Sequence, residues 1–394
     1  MRIVAILAGA AAIALTAAAE AAPPSRLLAI TSGPSLTWVD GLTLTPLPGS
    51  TISLPPKAAG GYLSPDRSTY VLGSNGEPKL TFLDVQRMQT IGSLTVARSG
   101  SAYPIAFPEQ NRLFVQTWGC CPPAYTEVVV VDPERRAVVG RVRIVGGGLI
   151  AARSGDGLVA LVEAAKGIKP IRAVVIDRNG AARSVAVSRI KAGTAWRGTG
   201  SNRRARIRQP GLAVDRAGGV AYVVDAGGLV AQIDLATLGV SYHARVTRRL
   251  AHADKQMDGP VVYAAWGGDG RIVVSGTNMK LQRESGSWRE TWTPAGVALL
   301  DTRTWSSRML DPAAAGFTVS GDSVLIPRDG SLTAYSADGS VRYRTAIPVG
   351  NAYASVFGDY AYVSTEARVT IVDLASGAVV GTVANPSLYL VPES

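Results

Sequence analysis

Histidine and cysteine are nearly absent, with two of each in 394 residues. His243 and His252 cannot by themselves build a multi-histidine metal site, and no His/Cys spacing of the usual metal-binding kind is present. Acidic residues are outnumbered, 29 Asp+Glu against 40 Lys+Arg, which leaves a formal charge of +11. Beyond the N-terminus no apolar run approaches the roughly 18 residues of a membrane span. No G-x-S-x-G elbow supports a serine hydrolase. The glycine clusters at 146–148 and 267–270 lack the strand–loop–helix setting and the lysine of a phosphate loop. Only 5 Phe are present, whereas Gly reaches 43, a balance that argues against a helical protein. At 47% hydrophobic and 18% charged residues the chain can bury a full core, so global disorder is excluded. The length suggests two domains, yet all-β folds run this long as one.

Residues 1–22 read as a secretory signal. Arg2 precedes an apolar stretch from Ile3 to Ala19, and Ala19-Glu20-Ala21 fits a signal-peptidase site. An uncleaved anchor is the other reading of this stretch. Residues 23–394 are expected to form one exported, monomeric domain, secreted or held in the periplasm or cell envelope.

One phrase recurs along the rest of the chain: a β-branched run, an Asp, a short polar turn and a further β run. It is anchored at Asp40, Asp84, Asp132, Asp177, Asp234, Asp301 and Asp373, with Ser336 in the Asp position of an eighth copy. A repeat period near 40–50 residues, built only from strands, is the signature of propeller blades. Residues 61–96 show the internal order: a strand, the turn SPDR, a strand, the loop SNGEP, and two further strands. Asp and Gly recur at these turns because they adopt turn geometry, and the anchor Asp is expected to cap the turn after the third strand.

The stretches YLSPDRSTYVLGSNG…LTFLDV and GDYAYVSTEARVTIVDLASGAVVGTV carry a resemblance. They are similar to the secreted YVTN-type repeat propellers of the quinoprotein amine dehydrogenase-like superfamily. The resemblance covers nearly the whole mature chain and implies an all-β, WD40-like propeller of four-stranded blades; because it is a likeness of repeats, it speaks for fold more than function. Seven units carry all four strands. The N-terminal piece offers three (LLAIT, SLTWVD, LTLTPL) and PSLYLVPES one more. Sharing these terminal strands in one blade makes eight and closes the ring, leaving no open edge. Seven blades is the alternative.

The long connections, 117–126, 163–172, 188–210, 245–259 and 277–295, should all lie on one face of such a ring. Loop length concentrated on one face is where rigid scaffolds carry function. These segments are also basic and carry tryptophan. The candidate ligand-binding residues are Trp118, Trp196, Arg197, Arg203, Arg204, Arg206, Arg248, Arg249, His252, Trp288, Arg289 and Trp292. Arginine offers a fork for carboxylate, sulfate or phosphate, and tryptophan a stacking face. This pattern points to a binding or scaffold protein whose partner is an anionic glycan, a cell-wall polymer or a protein. Export makes nucleic acid a poor natural partner. The bland alternative is a solvated basic surface.

Cys120 and Cys121 are adjacent and precede Pro122-Pro123. In an oxidising compartment the intramolecular options are a vicinal disulfide or two free thiols, and a vicinal bond would stiffen the loop. The WGCC run is similar to the vicinal pair of the pyrroloquinoline-quinone alcohol dehydrogenases. That likeness covers only these residues: no tryptophan-docking repeat, calcium ligand set or catalytic Asp can be matched. The enzyme alternative is therefore a quinone-dependent dehydrogenase or a sugar lactonase with an axial site. No catalytic residue, metal ligand or cofactor is assigned. His243, in VSYHARV, is expected to be an ordinary surface residue of an outer strand.

Overall fold

The computed structural model describes residues 22–118, 125–146, 149–164, 166–199, 204–243, 260–284, 287–384 and 388–391. The predicted signal segment and its cleavage region lie almost wholly outside them. Among the described residues no helix is long and apolar enough to cross a membrane.

All the regular structure is antiparallel β. Strand pairing groups the chain into four-stranded meanders covering residues 58–95, 101–145, 149–192, 211–243, 260–311, 318–346 and 353–384. The eighth unit is composite. Arg26–Thr31, Ser35–Asp40 and Pro46–Ser53 take Leu388–Leu390 as their fourth strand, in the register Ala29 opposite Leu390 and Thr31 opposite Leu388.

Packing shows how the units are arranged. Each of eight apolar clusters is shared by two successive units. Leu28, Leu36 and Trp38 of the first unit meet Leu63, Tyr70 and Leu83 of the second. The pattern repeats around the chain until Phe357, Tyr360 and Ile371 of the last unit meet Leu27, Val39 and Leu390 of the first. Among the described residues the strands fall into eight units, and the shared clusters link each unit to the next and the last to the first. The inner two or three strands of a unit are covered on both faces, so they read as unbroken apolar runs: Gly157–Val162 and Tyr360–Ser364 are buried throughout. Outer strands such as Val379–Ala384 are half-exposed and alternate.

Two contacts finish the closure. The Tyr362 hydroxyl donates to the Gly41 carbonyl across 2.8 Å, tying the last unit to the first. Gly41 must be glycine, because a Cβ there would lie 1.7 Å from the Pro24 carbonyl oxygen.

The anchor aspartates cap turns. Oδ1 of Asp40 accepts from the backbone N–H groups of Leu42 and Thr43, Oδ1 of Asp84 from those of Gln86 and Arg87, and Oδ1 of Asp373 from that of Ser376. Asp301 does the same with Arg303 and Thr304, and Asp234 with Thr237. These bonds, together with hydroxyl donors at the same turns, hold the carboxyls of Asp40, Asp234, Asp301 and Asp373 below the usual carboxylate range. In the copy with Ser336 the cap moves two residues on: Asp338 accepts from the Ser340 N–H and from the Ser336 and Ser340 hydroxyls.

Candidate functional site

Two of the long basic segments are strands, not loops. The outer strand Ala182–Arg197 runs past its own unit, and Arg204–Arg208 pairs back on its far end, with Trp196 opposite Ala205 and Arg197 opposite Arg204. In the sixth unit, Arg271–Glu284 and Ser287–Asp301 also outgrow the ring as a long hairpin. Arg204 and Ala205 pair with Gln282 and Leu281 of that hairpin. The result is a small four-stranded accessory sheet bridging the fourth and sixth units. The two hairpins meet through Ala205 and Leu281, 76 positions apart in sequence.

Register sorts its side chains, because residues directly opposite each other in antiparallel strands share a face. One face carries Trp196, Ala205, Ile207, Met279, Leu281, Trp288 and Trp292, with Arg283 and Glu290 among them. Trp196 and Trp288, 92 positions apart, meet with ring centroids 5.2 Å apart and planes tilted by 57°. All three tryptophans remain nearly half exposed. The opposite face carries Arg197, Arg204, Arg206, Lys280 and Arg289, with Ala195, Gln282 and Thr291 between them. By the same register Glu284, paired with Ser287 at the tip of the hairpin, falls in this row beside the basic residues. The sequence suggests one mixed Arg/Trp surface; the strand alternation makes it two surfaces, one cationic and one aromatic.

The sheet is clamped to the ring at its base. Arg208 continues the cationic face, and its Nη2 donates to both carboxylate oxygens of Asp225 at 2.8 Å, with Nε 3.2 Å from Oδ1. Asp225 is buried in the fifth unit, where its Oδ2 also accepts from the Gly227 N–H. A bidentate, charge-assisted pair of this kind fixes orientation as well as position. The next residue is stitched to the inner strand of the sixth unit: the Gln209 N–H donates to the Pro260 carbonyl, and the Gln209 carbonyl accepts from the Val262 N–H. Gly296, at φ +102°, sits on the strand that leaves the ring beside the bulge at Gly276/Thr277.

Of the residues expected to form the site, Trp196, Arg197, Arg204, Arg206, Trp288, Arg289 and Trp292 come together in this sheet. Trp118 ends the strand Arg112–Trp118 in the third unit, away from it. Arg203, Arg248, Arg249, His252, Cys120 and Cys121 lie outside the described residues. Lys280 of the basic segment 277–295 joins the sheet, and with it the apolar Met279 and Leu281, which had not been singled out. Their period-2 alternation through MKLQRE and SWRETW was the available signal.

His243 is not an ordinary surface residue. Its ring stacks on Trp305 with centroids 3.4 Å apart and planes 10° from parallel. Its Nε2 lies 3.3 Å from the Gln232 amide oxygen, and burial pulls its pKa below the usual value.

Among the described residues no group of three His, Cys, Asp or Glu side chains is placed to hold a metal ion. No protein-family model matches the chain, and no curated sequence matches it. Solved structures do match in three dimensions. Dihydro-heme d1 dehydrogenase NirN in complex with DHE superposes with a TM-score of 0.58 at 13% identity, over 94% of this chain and 76% of that one. Apo AztD from Citrobacter koseri superposes with a TM-score of 0.55 at 14% identity, over 91% of this chain and 94% of that one. The chain is a β-propeller. At such identities the likeness extends to the fold alone, and what the propeller does has to be argued from its own surface.

Proposed function

We propose that this propeller is an exported binding protein that holds an anionic polymer, a glycan or cell-wall polymer, on the cationic face of its accessory sheet. The observation that carries this reading is the sorting by register. Arg197, Arg204, Arg206, Lys280 and Arg289 share one face, five basic residues against the one acidic position, Glu284, that the register puts at its hairpin tip. A solvated basic surface kept only for solubility has no need of such sorting. Basic and acidic residues would be mixed, as they are at the turns, where Arg303 pairs with Asp269 and Arg342 with Asp322. Adjacent strands lie about 4.8 Å apart and alternate residues nearly 7 Å apart. Guanidinium groups on such a grid suit charges repeated along an extended chain. The rigid ring fixes the grid, so little ordering entropy is lost on binding.

The test is retention on a sulfated-polysaccharide resin. The wild-type protein should be retained and released by salt. The triple variant Arg197→Glu, Arg204→Glu, Arg206→Glu should elute much earlier with its circular dichroism unchanged. Unaltered retention would remove the sheet from the account.

A further inference from the structure

We propose that the central channel carries a second site, separate from the accessory sheet, that takes a small organic anion with a flat apolar body. The site is a cavity of about 560 Å³ where the inner strands of three successive units meet. Leu149–Ser154, Gly211–Asp215 and Pro260–Gly268 form its walls. It opens toward the ends of these strands that lead into the first hairpin turn of each unit, whereas the accessory sheet rises from the other end. A volume in this range suits a drug-sized molecule.

Small side chains keep the space clear: Ala152, Ala213, Ala217, Ala264 and Ala265 line it. Two arginines border it, Arg153 from the fourth unit and Arg216 from the first turn of the fifth. Neither has a carboxylate partner among the described ion pairs. Arg153 donates from Nη2 to the Pro108 carbonyl at 2.9 Å, which fixes its stem, while its buried Nε has no hydrogen-bond partner. An unpaired buried guanidinium N–H is costly unless something accepts from it. Burial and the neighbouring Arg216 charge both disfavour the charged form of Arg153, and a bound anion would relieve the second of these. The single carboxylate at the rim, Asp215, is engaged in accepting from the Gly218 N–H.

The opposite wall is aromatic and held in place. Trp266 lines the cavity and lies parallel to Tyr222, 2° between planes and 5.6 Å between centroids. Tyr222 in turn meets Trp305, on which His243 stacks. This column runs through the interface between the fifth and sixth units and leaves Trp266 little freedom to close the cavity. Two guanidinium groups and a fixed indole lining one cavity suit a molecule with an anionic head and a planar body.

Isothermal titration calorimetry with phenyl phosphate and with benzoate tests this, with benzyl alcohol as the neutral probe and inorganic phosphate as the head alone. The wild-type protein should bind at least one of the two aromatic anions, and bind that one more tightly than benzyl alcohol or inorganic phosphate. Arg216 is exposed, so Arg216→Gln should fold normally and weaken binding about tenfold or more, the usual loss when a charge-assisted contact goes. Ala265→Leu, which fills the cavity without changing charge, should also abolish binding. The triple glutamate variant of the accessory sheet should bind the aromatic anions as the wild type does, which separates this site from the polymer surface. Absence of heat with both aromatic anions, or binding indifferent to Arg216→Gln and to Ala265→Leu, would overturn the proposal.

Discussion

Replacing Leu390 by alanine tests the closure of the ring at a single side chain. Leu390 lies in the three-residue strand that the C-terminus lends to the first unit, and it is 5% exposed. It packs with Leu27, Val39, Phe357 and Tyr362, so it touches both units that the closure joins. Its neighbour Tyr389 points the other way and is 52% exposed. Full burial of a leucine side chain contributes roughly 1.5–3 kcal/mol, and truncation to alanine in a core costs about 2–5 kcal/mol once the cavity is included. A short terminal strand can relax around the gap, so Leu390→Ala should fall near the lower end, about 2–3 kcal/mol. Tyr389→Ala should stay within about 0.5 kcal/mol. Against a total stability of roughly 5–15 kcal/mol the first change is large. Urea unfolding followed by tryptophan fluorescence gives both values from midpoints at a common slope. Equal midpoints for the two variants, or a Leu390→Ala midpoint indistinguishable from wild type, would refute the closure by this strand.

Arg208→Ala strands the buried Asp225 carboxylate. Removing one partner of a buried pair costs about 3–5 kcal/mol, and water reaching the one-third exposed arginine brings the expected loss to about 2–3 kcal/mol. The same variant should weaken polymer retention by loosening the sheet; an unchanged urea midpoint would show that the clamp carries no load. Stability should fall steeply below about pH 4. The capped aspartates have folded pKa values below their usual 3.8, so their contribution is complete above that value and is lost as pH falls through the folded pKa. Asp373→Asn should flatten this acid limb in thermal melts, and a limb of unaltered slope would speak against the caps. His243 acts at higher pH with the same sense: its folded pKa lies below 6.5, so its contribution is lost as pH falls from 6.5 through the folded value. His243→Gln should remove the small decline in melting temperature expected there.

The ring was legible because its signal is repeated. Each anchor Asp meets the same local demand, one or two backbone N–H groups of the turn after the third strand, and each buried strand shows the same apolar run. The composite unit also followed from strand arithmetic through LLAIT, SLTWVD and PSLYLVPES, but its third strand is Pro46–Ser53, not the expected LTLTPL, most of which forms the turn capped by Asp40. The accessory sheet was hidden by its composition. KLQRESGSWRETW reads as a polar, charged loop, yet Leu281, Trp288 and Trp292 alternate with Lys280, Arg289 and Thr291, and Ser285-Gly286 separates the paired residues Glu284 and Ser287. What averaging over charge concealed was which residues share a face. The channel cavity left no local trace, because Ala152, Arg153, Arg216 and Trp266 come from three units and only the closed ring brings them together. His243 was misjudged for the same reason: its partner, Trp305, belongs to the neighbouring unit.

The central claim, that the cationic face of the accessory sheet holds an anionic polymer, is most directly tested by the salt dependence of binding. Affinity for a linear sulfated polysaccharide, measured across ionic strength, should fall linearly on a log–log plot as bound counterions are released. Replacing Arg197, Arg204, Arg206 and Arg289 by glutamine should lower that slope by up to about one per arginine removed, while a control Arg303→Gln at a distant turn leaves it unchanged. A slope indifferent to the four replacements, with affinity retained, would contradict the account.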